Sequence, residues 1–170
     1  MQDTRSLQTV VPTSIPSALY RVDYPGSQTS FSPTEGFRAR NMHTIIANVQ
    51  QLHFYASAHF NWASNISSPF ISVFADRTRA EHWACGFSEG DGGKECYVVA
   101  ISTAALGRGP IFRAADLIGA GVQSPIVASQ HWSEYLVLYR VPVAALINEI
   151  VISAGPQLQN GEIDSQMLLH

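Results

Sequence analysis

The stretch that most constrains the fold is residues 135–141, a dense run of aromatic, leucine and β-branched side chains. Such a run predicts a buried β-strand. Glu134 stands at its leading edge, and alternation along a strand places Glu134 on the face of Leu136 and Leu138. The glutamate is therefore either a solvated acid at a strand end or the chemical centre of a cleft, and the rest of the chain has to decide between these.

Length and composition predict one globular domain. The chain has 170 residues, of which 46% are hydrophobic and 14% are charged, so a single core is expected and disorder is not. No apolar run approaches the roughly 18 residues of a membrane helix, and the N-terminus lacks the basic-then-apolar order of a signal peptide. We therefore expect no membrane partner and a cytoplasmic location by default. The alternative is a secreted or delivered effector, if the sequence is part of a longer chain.

Charge and cysteine content indicate which partners and metal sites are to be expected. The net charge is −3 and no basic block occurs, which argues against a nucleic-acid partner. Cys85 and Cys96 flank one polar loop and could be either a disulfide or two ordinary thiols. Neither cysteine belongs to a metal-ligand spacing and the histidines are scattered, so no metal site is expected.

The order of elements predicts an α+β domain with an antiparallel or mixed sheet. Further strands are predicted at residues 18–23, 69–74 and 96–103. Helices are predicted at residues 44–62, at 76–84 with Asp76 as N-cap, and at 143–150 after Pro142. Residues 28–40 are interpreted as a polar loop. No glycine-rich nucleotide fingerprint follows a strand, which argues against Rossmann and P-loop folds.

The sequence pattern divides the chain into three parts. Residues 1–17 are polar, contain two prolines and show no periodicity, which predicts a flexible N-terminal arm. Residues 18–153 form the predicted domain, and residues 154–170 are a polar C-terminal tail.

Three polar residues lie inside strands that are otherwise apolar: Arg21, Ser72 and Glu134. In this order they resemble the Arg–Ser–Glu signature of mono-ADP-ribosyltransferases, in particular the cholera-toxin-like branch. Residues 19–23, Leu-Tyr-Arg-Val-Asp, look like the first-strand motif of that family. Residues 36–40, Gly-Phe-Arg-Ala-Arg, occupy the place of its Gly-hydrophobic-x-x-Arg turn. For Arg21 alone, the local alternative is an edge strand with its arginine in water.

The resemblance covers roughly residues 19–146, and the segment is also similar to an uncharacterised fungal domain with the same motifs. It implies a single ADP-ribosyltransferase-like domain, in which a β core split into two sheets and flanking helices forms an NAD cleft. It also implies an enzyme that uses NAD as substrate, without a metal. The enzyme would cleave the nicotinamide–ribose bond and transfer ADP-ribose to an unknown protein or small-molecule acceptor, or to water.

The resemblance also implies roles for particular residues. Glu134 would stabilise the positive charge that grows on the ribose. Arg21 would bind the pyrophosphate through its planar guanidinium, and Ser72 would orient both. The residues carried over as NAD-binding are Tyr20, Arg21, Val22, Asp23, Arg40 and Ser72.

The segment before Glu134 departs from the family. Arginine-modifying members carry a glutamate, and several others a glutamine, two residues before the catalytic glutamate, whereas this chain has Trp132. A tryptophan accepts no proton and orients no guanidinium, so Trp132 either stacks on a different acceptor or simply packs. An alternative to an enzyme is therefore an eroded module that binds NAD or a partner without turnover. A third is an unrelated α+β binding domain.

Overall fold

The structure is a computed structural model that describes Leu7, residues 12–107 and residues 109–152. The strands within this part of the chain are β1 (Ala18–Asp23), β2 (Ser30–Ser32), β3 (Gly36–Arg38), β4 (Phe70–Phe74), β5 (Cys96–Ser102), β6 (Ile111–Arg113), β7 (Glu134–Leu138), β8 (Arg140–Val141) and β9 (Leu146–Ile152). The α-helices are α1 (Val49–Phe60), α2 (Arg77–Gly90) and α3 (Ala114–Gly119).

Two antiparallel sheets form the scaffold. The larger has six strands in the order β6-β7-β4-β1-β5-β9, and the smaller has three in the order β2-β3-β8. The α+β prediction with a core split into two sheets is therefore confirmed. The alternative that placed Arg21 on an edge strand is wrong, because β1 lies between β4 and β5.

Three apolar clusters hold the layers together. The first includes Leu19, Ile71 and Val137 from the large sheet and Phe37 and Val141 from the small sheet, so it joins the two sheets. The second packs α1 and α3 against the opposite face of β4 and β7. The third packs α2 against β1 and β5. Burial of apolar area on both faces of the large sheet is the main stabilising term.

The predicted strand at residues 135–141 is present but is divided between the sheets. Tyr139 has a φ of 64°, and this left-handed residue separates β7 in the large sheet from β8 in the small one. It is fixed on three sides. Its N–H donates to the Pro69 carbonyl at 2.7 Å, its carbonyl accepts from the Ala39 N–H at 2.7 Å, and its hydroxyl donates to the Thr44 carbonyl at 2.5 Å. The strain of a positive φ is thus offset by specific partners.

The helix predicted at residues 143–150 is wrong. A short 3₁₀ turn at Val143–Ala145 is followed by β9, which pairs with β5 along its length. Pro142 has a ψ of 153°, so its own backbone is extended, and it precedes the 3₁₀ turn without beginning an α-helix. The isoleucine- and valine-rich composition of β9 suits a strand. This strand preference outweighs the preference of proline for the first position of a helix.

The polar loop predicted at residues 28–40 is also wrong, since it contains the hairpin β2–β3. Gly36 makes this hairpin possible. It has a φ of 85°, and a Cβ at this position would lie 2.1 Å from the Val141 carbonyl oxygen. Only glycine allows β3 to approach β8 this closely. A hairpin of polar residues gives little periodic signal, which explains the error.

The two long helices are confirmed with different limits. α1 begins at Val49, five residues later than predicted, because the Asn48 side chain caps it by accepting from the Gln51 N–H. Asp76 caps α2 as predicted by accepting from the Arg79 N–H, but the helix continues to Gly90. Strands β1, β4 and β5 lie within one residue of their predicted limits.

The predictions for the chain termini, the cysteines and a membrane span remain to be compared with the structure. Most of the predicted arm and all of the tail at residues 154–170 lie outside the described residues, so these boundaries stay predictions. Of the two alternatives for the cysteines, the structure shows free thiols, with Cys85 exposed and Cys96 buried. In the part of the chain that is described, no helix is both long and apolar enough to cross a bilayer.

Candidate active site

Strand order brings Glu134 and Ser72 together. β7 and β4 are neighbours, and their register pairs Phe74 with Glu134 and Ser72 with Leu136. Ser72 and Glu134 are therefore diagonal neighbours on one face of the sheet, within reach of each other. Ser72 Oγ donates to Glu134 Oε1 at 2.7 Å. Because Glu134 is only 9% exposed, it is a buried, hydrogen-bonded carboxylate and not a solvated strand end.

Arg21 joins the same group from the other side of β4. β1 and β4 pair only at Tyr20–Phe74, so a side-chain donor can reach the Ser72 carbonyl. Arg21 Nη1 donates to that oxygen at 3.0 Å, and Nη2 donates to Ser27 Oγ at 2.7 Å. Arg21 is 6% exposed. Burial lowers its pKa, while the nearby acidic groups of Asp23 and others oppose that effect.

One nitrogen of Arg21, the buried Nε, has no hydrogen-bond partner in the described part of the chain. A buried unpaired donor on a charged group costs roughly 1–3 kcal/mol or more. Since Arg21 lines a cleft, an anion bound there would offset the desolvation of the guanidinium.

His59, on the last turn of α1, extends the network. Its Nδ1 lies 2.7 Å from Ser68 Oγ, and its Nε2 lies 2.7 Å from Ser72 Oγ. Because Ser72 donates its only hydroxyl proton to Glu134, we assign the His59 proton to Nε2, which donates to Ser72. Burial lowers the pKa of His59 to about 4, with Glu134 opposing the shift. The ring is therefore neutral at physiological pH.

His131 holds the second oxygen of the carboxylate. It lies in the 3₁₀ turn Ala128–His131 that precedes β7 and is 3% exposed. Its Nδ1 is 2.5 Å from Glu134 Oε2, and its Nε2 is 2.9 Å from Ser124 Oγ. Both oxygens of Glu134 therefore have a protein partner. We call Glu134, Ser72, His59 and His131 the Glu134 network.

These residues line one cleft of about 320 Å³, within the range of small-ligand sites, which begins at about 300 Å³. Another part of its lining is an aromatic cluster of Tyr24, Trp62, Trp83 and Phe87. The rings of Tyr24 and Phe87 stack with centroids 3.9 Å apart. Trp83 stacks on Phe87 at 5.5 Å, and Trp62 packs edge-on against Trp83 at 6.0 Å. Trp62 is 62% exposed and offers a ring to a ligand.

The other predicted site residues are distributed unevenly. Val22 and Arg40 line the cleft, whereas Tyr20, Asp23 and Trp132 are not among its lining residues. Asp23 is half-buried, and burial raises its pKa while Arg21 opposes the shift. Trp132 is 52% exposed, so it lies on the outer side of the loop that carries His131. The roles of all these residues stay predictions.

Sequence reasoning missed both histidines of the network. In the sequence, both belong to the scattered histidines that form no metal-ligand pattern. The available signal for His131 was its position three residues before a glutamate that begins a strand. His59 had no such signal, because α1 and β4 meet only in the folded chain. In the described residues no three histidine, cysteine or acidic side chains are grouped so as to hold a metal ion.

Comparison with known proteins identifies the family and the fold. The sequence profile of the family described as "Domain of unknown function (DUF7587)" matches residues 14–155. No curated protein matches the chain in sequence. The solved structure named "EcPltA" is 15% identical with a TM-score of 0.51, over 80% of this chain and 75% of that one.

A second solved structure, "Guanine-specific ADP-ribosyltransferase", is 16% identical with a TM-score of 0.50, over 88% of this chain and 82% of that one. At such identities the likeness concerns the fold alone. The chain therefore belongs to the DUF7587 family of unknown function and has the fold of ADP-ribosyltransferases.

Proposed function

We propose that this protein is an NAD-dependent mono-ADP-ribosyltransferase-like enzyme that cleaves the nicotinamide–ribose bond. The observation that carries the proposal is the hydrogen bond of 2.7 Å from Ser72 Oγ to Glu134 Oε1, beside an Arg21 bound to the Ser72 carbonyl at 3.0 Å. Three residues that are far apart in the sequence thus meet in one cleft of a fold shared with ADP-ribosyltransferases.

The carboxylate suits the chemistry of this bond. When the bond from ribose C1′ to the nicotinamide nitrogen breaks, the electron pair leaves with nicotinamide and positive charge grows on the ribose. A fixed, poorly solvated carboxylate stabilises this charge more in the transition state than in the ground state. Glu134 is held on both oxygens, yet a carboxylate offers about four acceptor positions. Acceptor positions therefore remain for a ribose hydroxyl.

Arg21 and the aromatic cluster suit the rest of the dinucleotide. The guanidinium of Arg21 lines the cleft and would donate to a diphosphate oxygen, because a guanidinium binds phosphate strongly. Arg40 adds a second positive charge to the cleft lining. The exposed ring of Trp62, backed by Trp83 and Phe87, offers a stacking surface to a base of the dinucleotide.

The acceptor is water, or a group that needs no second acid for its orientation. Residues 124–133 contain no aspartate, glutamate, lysine or arginine, and Glu134 is the only carboxylate among the described lining residues. As the new bond from C1′ to the acceptor forms, Glu134 can take the acceptor proton. A guanidinium acceptor would lack the carboxylate or amide expected two residues before Glu134, where this chain has Trp132, so modification of arginine is disfavoured.

The direct experiment follows nicotinamide release from NAD by the wild-type protein and by Glu134→Gln, with and without candidate acceptors. These include cell lysate and guanosine, because one structural neighbour is named for guanine. We expect Glu134→Gln to lower the rate by about 10²-fold or more. Glu89→Gln, an exposed control on α2, should act like wild type. No release or transfer above the Glu134→Gln background would refute the proposal.

A binding module without turnover is the second candidate, favoured by Trp132 at the place of the expected acid or amide. Calorimetric titration with NAD separates the two. Binding of NAD without release of nicotinamide or transfer of ADP-ribose would support the module. Turnover that depends on Glu134 would exclude it.

A further inference from the structure

His131 is the part of the site that neither the motifs nor the predicted roles explain. It is the side chain on the loop before β7 that hydrogen-bonds to Glu134, with Nδ1 and Oε2 only 2.5 Å apart. Both side chains are nearly inaccessible to solvent, so water does not compete for this contact. The ring packs against Phe60 with centroids 4.7 Å apart, which restricts its orientation.

The hydrogen bonds around His131 define which nitrogen carries the proton. The Ile126 N–H donates to Ser124 Oγ at 3.1 Å, so the Ser124 hydroxyl proton is available for His131 Nε2, 2.9 Å away. With Nε2 as acceptor, a neutral ring has its proton on Nδ1 and donates it to Glu134 Oε2. An ionised carboxylate only accepts, so the Glu134 contact places the proton on Nδ1, and the Ser124 hydroxyl can donate to Nε2.

The other oxygen of Glu134, Oε1, is held by a second chain of hydrogen bonds. The Phe70 N–H donates to Ser68 Oγ at 3.0 Å, and Ser68 lies 2.7 Å from His59 Nδ1. His59 then donates to Ser72, which donates to Glu134 Oε1. Each carboxylate oxygen is therefore held by a chain that runs from a backbone N–H through a serine and a histidine, with Ser72 as a further link to Oε1. The carboxyl plane has little freedom to rotate.

We infer that His131 is a positioning residue for Glu134, whose Nδ1–H fixes the carboxylate through Oε2 while Ser124 fixes the histidine. Its effect on rate rests on the proposed function, but the contact itself does not. Because both nitrogens of His131 are already bonded, the ring acts through Glu134 and not on a substrate. The outward-facing Trp132 is then free of any orienting task, which accounts for a tryptophan at that place.

Kinetics with NAD test the effect on rate. His131→Phe keeps the ring shape and removes both nitrogens, and we expect kcat to fall about 10- to 100-fold with KM for NAD changed less than about threefold. In His131→Asn the amide nitrogen stands near the place of Nδ1, so part of the loss should be restored. His53→Phe, a histidine on α1 outside the cleft, is the control and should match wild type.

Two further outcomes separate positioning from general destabilisation. Adding His131→Phe to Glu134→Gln should cause little additional loss, since the histidine acts through the carboxylate. Fully additive losses, or wild-type kcat in His131→Phe, would overturn the inference while leaving the proposed function intact.

Nitrogen NMR tests the contact without any activity. Long-range ¹H–¹⁵N spectra at neutral pH should show His131 protonated at Nδ1, and Glu134→Ala should abolish that preference. If the wild-type protein shows this tautomer but cleaves no NAD, the contact stands and the proposed function fails. A His131 ring protonated at Nε2, or one that does not respond to Glu134→Ala, would overturn the inference even if NAD is cleaved.

Discussion

The cleft contains two regions built on different physical principles. The Glu134 network consists of short, directional hydrogen bonds among buried groups, from 2.5 Å for His131 to 2.7 Å for Ser72 and His59. The aromatic cluster consists of rings in stacked and edge-on contact, with centroids 3.9 to 6.0 Å apart. Its outermost member, Trp62, is largely exposed.

This difference suggests a division of labour. Hydrogen bonds weaken steeply with distance and angle, so the network determines where a few atoms lie. Stacking depends on area and tolerates small shifts, so the cluster adds binding without fixing a reacting atom. Substitutions in the network should therefore change kcat, and substitutions in the cluster should change KM for NAD.

The largest effect is expected for Arg21→Lys. A lysine cannot reproduce the planar pair of bonds to the Ser72 carbonyl and Ser27 Oγ, and it places a strongly hydrated ammonium in a buried site. We expect kcat/KM for NAD to fall about 10²- to 10³-fold, or about 3–4 kcal/mol. Arg140→Lys, at an exposed position on β8, is the control. Equal activity in the two variants would show that charge alone matters at residue 21.

His59 should make stability depend on pH. Its pKa is lowered to about 4, whereas an unfolded histidine titrates near 6.5. Between these values the unfolded state binds more protons than the folded state, so the free energy of unfolding decreases as pH falls from about 6.5 to 4. The loss is at most about 3 kcal/mol. His59→Gln should flatten this dependence in urea denaturation, and an unchanged slope would contradict the burial of His59.

Ser72→Ala should distinguish the contributions of the two hydrogen-bond chains that hold Glu134. It removes the donor to Oε1 and leaves the His59 Nε2–H without a partner, while His131 still holds Oε2. We expect kcat to fall about 10- to 50-fold. Ser133→Ala is a matched control, since Ser133 is buried beside Glu134 and its hydroxyl has no hydrogen-bond partner in the described residues. Similar kinetics in both variants would show that Ser72 merely packs.

The smallest effect is expected in the aromatic cluster. Trp62→Ala removes the exposed ring, and the loss of one stacking interaction should raise KM for NAD about 5- to 10-fold with kcat nearly unchanged. Trp132→Ala, which removes an exposed tryptophan outside the cleft lining, should leave KM for NAD unchanged. A kcat effect in Trp62→Ala as large as that in Ser72→Ala would remove the distinction between the two regions.

The comparison with sequence-based predictions shows which signals are local. β1, β4 and the strand that begins at Glu134 were predicted because apolar alternation is written in consecutive residues. β2, β3 and β9 were missed or called helical, because short hairpin strands and an edge strand show weak periodicity. Arg21, Ser72 and Glu134 were found only through their order along the chain, together with the motifs around them.

By itself, the sequence determined the α+β class, the three polar residues that interrupt apolar strands and the unusual Trp132. All three features can be recognised from residue types and from the spacing of apolar side chains along the chain, without knowledge of any tertiary contact. Only the tertiary structure decided that Glu134 is buried, that Arg21 lies on a central strand and that two histidines hold the carboxylate. The reason is physical. Hydrogen bonds such as that between His59 and Ser72 join residues that are brought together by the order of strands in the sheet and by the packing of α1 on it. No short stretch of the sequence determines either of these.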